Sequence, residues 1–588
     1  MKQIKIHITL FLSVLACFFM LAETACKKYD TPASVFEELA TDTEADTSIT
    51  RKVLMINIDG AVGKIVEQQE QEGKLTNIAS ILPHSKYAWN GLSTYSDTSN
   101  TTGEEDPVTW ASLMTGGVNV KHKITDNLYI PNVSLNPDDE DADISVNYFP
   151  TLLYRIKEHD SYMHTLCVTP WRNLNERFLS DAYKTITSES DEATKDTVAY
   201  SLKNEDYDFS LASFKGVLEA GKQNGFSADN PDYVSALNTI DGYIGELLQA
   251  IKLRETYDRE DWLVVITSND GGSPNGSYGG SSDEERNTFT LFYYPNFSEV
   301  ELHGTMIVSP TFNGEVKGVA SDYAQKYSLG WNDTLTVQAI VRINANPDDG
   351  SYSYGNWNRM LGKNNWGLYR KGTDGTAIRS EVSGSLEKYV WSSFNDGLWH
   401  SFTVSMMYDS ITDSKKVRMY YDGELNNSVD DDLNASGDAP VDTSDFVLGG
   451  SNINFNIADL RIWDTELRSF DYSDNACLLD MPSSQANYGH LLGYWKMTDP
   501  SAIKNDTIVK NEISGMPDLI LSQPLKFTKS ANTLAYNLES NNIVVENETI
   551  APQILYWLGI TIQSSWNMNY PVFLSNWSGE LYRGDKEE

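Results

Sequence analysis

The sequence predicts an α/β domain built on a largely parallel sheet and interrupted by an all-β sandwich. Three observations carry this. In the first half, apolar runs at residues 53–58 and 262–267 alternate with amphipathic stretches such as residues 233–253, the order that gives a parallel-rich sheet with helices on both faces. From about Glu301 the segments become short, alternating and rich in Thr, Ser, Asn, Gly and aromatics, with turns at Asp374-Gly375, Asp396-Gly397 and Asp422-Gly423. From about Asn532 helical spacing returns, over a stretch too short to bury a core of its own. The expected organisation is residues 51–300 and 530–588 as one α/β domain, 301–529 as its insert, 1–25 as a leader and 26–50 as a flexible tether.

Each α/β element has its own signal. Val53-Leu54-Met55-Ile56-Asn57-Ile58 reads as a buried strand closing on Asp59-Gly60. That places a carboxylate at the strand's C-terminal end, where α/β domains carry their sites. The second run, Trp262-Leu263-Val264-Val265-Ile266-Thr267, closes on Ser268-Asn269-Asp270-Gly271-Gly272 in the same way. Between them Leu237, Ile240, Ile244, Leu247 and Leu248 recur at helical spacing. Near the end, residues 550–560 read as a helix with Pro552 near its start and Gly559 at its close.

Composition narrows the function classes. The 588 residues are 40% hydrophobic and 11% aromatic, ample for packed cores and incompatible with wholesale disorder. Against 45 Lys and Arg stand 83 Asp and Glu, a net charge of −38, which repels nucleic acid and anionic headgroups alike. Four Cys are too few for a disulfide framework at this length, and Cys167 and Cys477 read as buried thiols. Lys2 and Lys5 precede an apolar run at residues 8–22 that is shorter than a bilayer span and ends at Ala25-Cys26, a secretory signal. It resembles bacterial lipoprotein signals, particularly those of Bacteroidota, with Glu23 where a Leu is usual. The resemblance implies lipidation at Cys26 and an outer-membrane, cell-surface protein that touches the membrane through its lipid anchor alone.

Asp59, the segment Asp106-Pro107-Val108-Thr109-Trp110-Ala111-Ser112, then Lys121-His122-Lys123 and Thr267-Ser268-Asn269-Asp270-Gly271-Gly272 together resemble the alkaline phosphatase superfamily, whose nucleotide pyrophosphatase and sulfatase relatives share that order. Ala551-Pro552-Gln553-Ile554-Leu555 resembles the family's last helix. The resemblance covers roughly residues 50–298 and 530–580, and implies two metal ions, usually zinc, activating a Thr or Ser nucleophile. Asp59 matches the first ligand and Thr109 the nucleophile position. The family's Asp-x-x-Gly-His falls on Leu218-Glu219-Ala220-Gly221-Lys222, its Ser-Asp-His-Gly-Gly on residues 268–272, and a later His on Tyr278. Leu cannot ligate, a Lys ammonium repels a dication, and Asn is a weak zinc ligand. The expectation is a vestigial site at Asp59, Leu218, Lys222, Asn269, Asp270 and Tyr278, with no metal and no catalytic residue beyond the relic Thr109. The alternative is an active phosphodiesterase, phosphatase or sulfatase holding zinc through altered ligands such as Glu219 and Asp270. Outside a metal site, Asp59 and Thr109 also read as helix caps and His122 as a surface or hydrogen-bonded residue.

The insert carries Trp399-His400, Tyr420-Tyr421-Asp422-Gly423 and Arg461-Ile462-Trp463 in order, and resembles the laminin G-like or concanavalin A-like jelly roll. Trp399, Tyr420 and Trp463 read as core. Tyr352, Tyr354, Trp357, Trp366 and Trp391 lie in Gly, Ser and Asn-rich surroundings and read as candidate rings for stacking on a polysaccharide or oligosaccharide. Asp430-Asp431-Asp432 is a candidate calcium loop, with a solvated charged loop as the plainer reading. The lipoprotein resemblance further implies an accessory role beside a SusC/SusD-type nutrient transporter.

Overall fold

The structure, a computed structural model, describes residues 49–94, 105–131, 149–321 and, with interruptions, 325–534 and 541–581. Cys26 and Cys477 lie outside the described residues. The chain forms two compact units: one spans Asp30–Thr305 and Glu539–Glu588, the other Met306–Leu538.

The first unit is α/β. Its strands are β1 (Thr50–Ile58), β2 (Ser85–Leu92), β3 (Thr165–Thr169), β4 (Lys184–Thr187), β5 (Phe209–Phe214), β6 (Glu260–Thr267), β7 (Asn287–Tyr293) and β8 (Val300–Glu301). They form one sheet in the order β4-β3-β5-β1-β6-β7-β2-β8. β1 lies centrally, parallel to β5 and β6, while β7 runs antiparallel to both β6 and β2. All seven residues from Lys52 to Ile58 are buried, as befits a strand covered on both faces. The helices are α1 (Gly63–Gln71), α2 (Thr76–Ile81), α3 (Pro107–Thr115), α4 (Asn119–His122), α5 (Leu152–His159), α6 (Asp191–Asn204), α7 (Gly216–Asn224), α8 (Pro231–Lys252), α9 (Asp283–Arg286) and α10 (Asn547–Trp557).

Local chemistry sets several of these boundaries. α8 begins where Asn230 caps the amides of Asp232 and Tyr233, has Pro at its first position, and buries Tyr233, Leu237, Ile240, Ile244, Leu247 and Ile251 along one face. α10 starts earlier than its Pro suggested: Pro552 sits inside the helix, six residues in, so the carbonyl of Glu548 has no helical donor. The helix persists because all eleven of its residues are buried, so tertiary packing outweighs the lost bond. The C-terminal segment joins the sheet through a parallel bridge between Leu92 and Glu546, where the Leu92 amide donates to the Val545 carbonyl at 3.0 Å.

The second unit consists of two antiparallel sheets of eight and nine strands. Strand Leu335–Ile343 pairs with Trp399–Asp409 on one side and Phe455–Trp463 on the other. Trp399, Tyr420 and Trp463 are buried in one core cluster. Two of the proposed sugar platforms are corrected here. Trp366 is 1% exposed, its indole N–H donating to the Tyr327 carbonyl at 2.8 Å, and Tyr354 is 8% exposed, its hydroxyl donating to the Asn344 carbonyl. Neither offers a ring face to a ligand: Trp366 packs inward from its strand, and Tyr354, outside any strand, is turned in by its hydroxyl bond. Tyr352, Trp357, the Trp391 side chain and the Asp430-Asp431-Asp432 side chains lie outside the described residues.

Candidate functional site

The candidate site gathers at the C-terminal ends of β1 and β6 and the first turn of α3. Asp59 follows β1 directly, and the turn is fixed by Gly60, whose φ of +76° suits glycine and whose Cβ would meet the Leu218 Cα at 2.8 Å. The Tyr233 hydroxyl pins the same turn, donating to the Gly60 carbonyl at 2.8 Å and accepting from the Val62 amide at 2.9 Å. Asp59 does not cap the following helix; α1 has no side-chain cap. Nor does Thr109 cap α3. That role falls to Asp106, whose carboxylate accepts from the Val108 and Thr109 amides at 2.8 and 3.4 Å, while Thr109 sits in the first turn.

The structure brings Asp59, Thr109, Asn269 and Tyr278 into one buried network. The Tyr278 hydroxyl donates to Oδ1 of Asp59 at 2.6 Å. Asn269 Nδ2 donates to the Tyr278 hydroxyl at 3.2 Å and to Thr109 Oγ1 at 3.3 Å, and Asn57 Nδ2 donates to Asn269 Oδ1 at 2.8 Å. Thr109 Oγ1 itself donates to the backbone carbonyl of Asp106 at 3.2 Å. Asn547, at the start of α10, donates to the Asn269 carbonyl at 2.6 Å. Asn57 and Asn547 were not singled out in the sequence; Asn57, a polar residue inside an otherwise apolar strand, was the available signal.

The remaining ligand positions stand around this network without completing a cage. Leu218 is 1% exposed, and Lys222 holds its ammonium 4.7 Å from the Tyr278 ring centroid. Glu219 is exposed and paired with Lys215 at 2.7 Å. Asp270 is buried and accepts from Ser93 Oγ at 2.6 Å. His122 is likewise buried: its Nδ1 accepts from the Ile124 amide at 3.0 Å, which leaves the proton on Nε2 to donate to Ser112 Oγ at 3.1 Å. Burial lowers its pKa to about 3, so it is a neutral structural histidine.

The electrostatics follow from burial with few cations. Desolvation raises the Asp59 carboxyl to about 6, against the lowering effects of the Tyr278 hydrogen bond and the Lys222 charge. Desolvation pushes Asp270 well above the usual carboxylate range, with repulsion from Asp106 next in size. Oδ2 of Asp59 and Oδ2 of Asp270 are buried without a hydrogen-bond partner. These two orphaned oxygens test the fit of the metal pair that the superfamily resemblance implies. They are oxygen donors, but the positions that must complete the cages are Leu218, Lys222, an amide and a phenol. Among the described residues no group of three or more His, Cys, Asp or Glu is placed to hold a metal ion. The donor set does not fit the two-metal centre. Nor does Thr109 contact a base: its bonding partners are a backbone carbonyl and an amide.

A family model, type I phosphodiesterase / nucleotide pyrophosphatase, matches residues 53–278. The matched residues all lie within the α/β unit. Among solved structures, the chain is similar to a 2-O GAG sulfatase at 13% identity and a TM-score of 0.31, over 42% of this chain and 65% of that one. It is similar to murine ectonucleotide pyrophosphatase / phosphodiesterase 5 at 14% identity and a TM-score of 0.28, over 37% and 57% of the two chains. It is also similar to a candidate carbohydrate-binding protein of Bacteroides ovatus at 14% identity and a TM-score of 0.28, over 47% and 71%. The chain thus spans just under two thirds of the sulfatase and less of the phosphodiesterase. No curated protein sequence matches it.

Proposed function

We propose that this protein is a non-catalytic, alkaline phosphatase-like accessory protein, anchored by lipid at Cys26 to the outer-membrane surface and serving a SusC/SusD-type nutrient uptake system. One observation carries the non-catalytic reading: the Tyr278 hydroxyl occupies the Asp59 carboxylate at 2.6 Å, where the superfamily's chemistry asks for a cation. A phenol satisfies Asp59 with a neutral donor and supplies no Lewis acid. The surface location is supported by the charged start, the apolar run and the Ala25-Cys26 junction. The accessory role is supported by that lipoprotein resemblance, and the second unit, resembling a laminin G-like jelly roll, supplies the surface through which glycan or a partner is met.

Two measurements test this. Elemental analysis of purified protein, with a panel of phosphate mono- and diesters and sulfate esters, is expected to give substoichiometric transition metal and no turnover. Near two metals per chain, with turnover lost in Thr109→Ala, overturns the non-catalytic reading. Fractionation of Cys26→Ala is expected to find the protein released from membranes; retention after washing overturns the anchor.

A further inference from the structure

The α/β unit carries a second candidate site away from the network around Asp59. α6 and α8 end where the next strands begin, and between their C-terminal halves lies a groove of about 720 Å³. Its lining is chemically mixed: Tyr200 and Leu253 with Asn204, Gln249, Lys203 and Glu246. Tyr200 is 63% exposed and Leu253 53%, which puts two large apolar side chains at the solvent face of one groove. Polar groups surround the ring. The side chains of Lys203 and Gln249 make no hydrogen bond among the described residues, whereas Glu246 is paired with Lys195 at 2.9 Å. The floor is open at Gly242, where an added Cβ would meet nothing within 4 Å.

We infer that this groove is an oligosaccharide-binding site, with Tyr200 as the stacking platform and Gln249 and Lys203 as hydrogen-bond donors to sugar hydroxyls. An exposed ring flanked by unengaged amide and ammonium donors suits a polyol, whose rings present an apolar C–H face and hydroxyl edges. The volume falls within the range of small-ligand sites. The ligand is neutral, because the chain's charge of −38 opposes a polyanion at long range. This extends the accessory reading without depending on it, since a hydrolytically active protein could carry the same groove.

The test is calorimetry of the full chain with cellohexaose, mannohexaose and maltohexaose, alongside a chondroitin sulfate hexasaccharide. At least one neutral hexaose is expected to bind, and Tyr200→Ala to weaken it about tenfold, the scale of one lost aromatic contact. Gly242→Trp is expected to abolish binding by filling the groove, with an unchanged melting temperature showing that the fold survives. Failure of all three neutral probes to bind at millimolar concentration overturns the proposal. So does equal affinity in both variants, or binding of the sulfated probe alone. Loss of a co-purifying protein from Gly242→Trp, without any sugar binding by the parent, would make the groove a protein-docking surface and equally overturn it. Ester hydrolysis by the parent would sink the non-catalytic reading while leaving this one standing.

Discussion

The Tyr278 hydroxyl donates a 2.6 Å hydrogen bond to Asp59, joining a loop residue to the end of the central strand across 219 positions of sequence. The bond holds a carboxylate in a fully buried setting where nothing else neutralises it directly; Lys222 acts only at a distance, from over the Tyr278 ring. Asp59 is therefore a net cost to folding at neutral pH that Tyr278 reduces.

That cost has a pH signature. Burial raises the Asp59 carboxyl from 3.8 to about 6, so between those values the folded state holds more protons than the unfolded one. Stability then falls as pH rises from about 4 to about 6, by up to about 3 kcal/mol from this group, and stays lower above that window. Asp59→Asn removes this charge, and is expected to lessen the fall in stability between about pH 4 and 6, leaving the share of other buried carboxylates such as Asp270, and to raise the melting temperature near pH 7. Calorimetric melting of both proteins across that window checks it; a variant less stable than the parent at neutral pH would show that the ionised carboxylate is held favourably after all.

A second buried charge ties the C-terminal segment down. Lys86, with a side chain 0% exposed, donates to Glu580 at 2.7 Å and to the Ser298 carbonyl at 2.9 Å, between the rings of Phe297 and Trp577. Glu580 is 29% exposed and can rehydrate if left alone, whereas the ammonium cannot. Glu580→Ala is therefore expected to cost about 2 kcal/mol and Lys86→Met, which keeps the packing between the rings, less than about 1 kcal/mol. Urea unfolding orders the two; the reverse order would mean that the pair is held by attraction to Glu580 and not by the burial of Lys86.

How much of this was legible in the sequence depends on range. The apolar run before Asp59 and the periodic Leu237, Ile240, Ile244 and Leu247 gave β1 and α8, because burial on both faces or on one face imprints local patterns. The change of texture near Glu301 announced the β-rich unit. Pairings such as Tyr278 with Asp59 left no local trace: they depend on a loop returning to the strand end, and a Tyr in a Gly-rich stretch looks the same whether it is inward or exposed. Trp366 misled for the same reason. The N-cap at Asp106 does carry a local signal, an Asp-Pro pair before a buried helix, and it lies three residues ahead of Thr109.

Trp366 is accordingly expected to behave as a core residue. Its indole N–H bonds the Tyr327 carbonyl and its ring lies 6.0 Å from that of Phe446. Trp366→Ala is expected to destabilise the second unit by about 3–5 kcal/mol, while any glycan affinity measured below its melting temperature stays that of the parent. Selective loss of glycan affinity with stability intact would restore the ring as a ligand platform.

The strongest expectation follows from reading the network around Asp59 as a metal site closed by substitution. If only the side chains at the ligand positions have been lost, then Leu218→Asp, Lys222→His, Asn269→Asp, Asp270→His and Tyr278→His made together should recreate a zinc-binding centre around Asp59. Without zinc, the variant is expected to be less stable than the parent, since a buried carboxylate replaces an apolar side chain at 218 and the Tyr278 donor to Asp59 is gone. With zinc, binding to the folded state alone stabilises it by about 3–4 kcal/mol when free metal exceeds its dissociation constant by roughly a hundred- to a thousandfold. The parent should show no such rise, and Asp59→Ala in the five-fold variant should cancel it. Thermal melting with and without zinc, with circular dichroism to establish folding, decides the matter. A folded five-fold variant that gains nothing from zinc would show that the backbone at the ends of β1 and β6 has itself departed from metal-binding geometry.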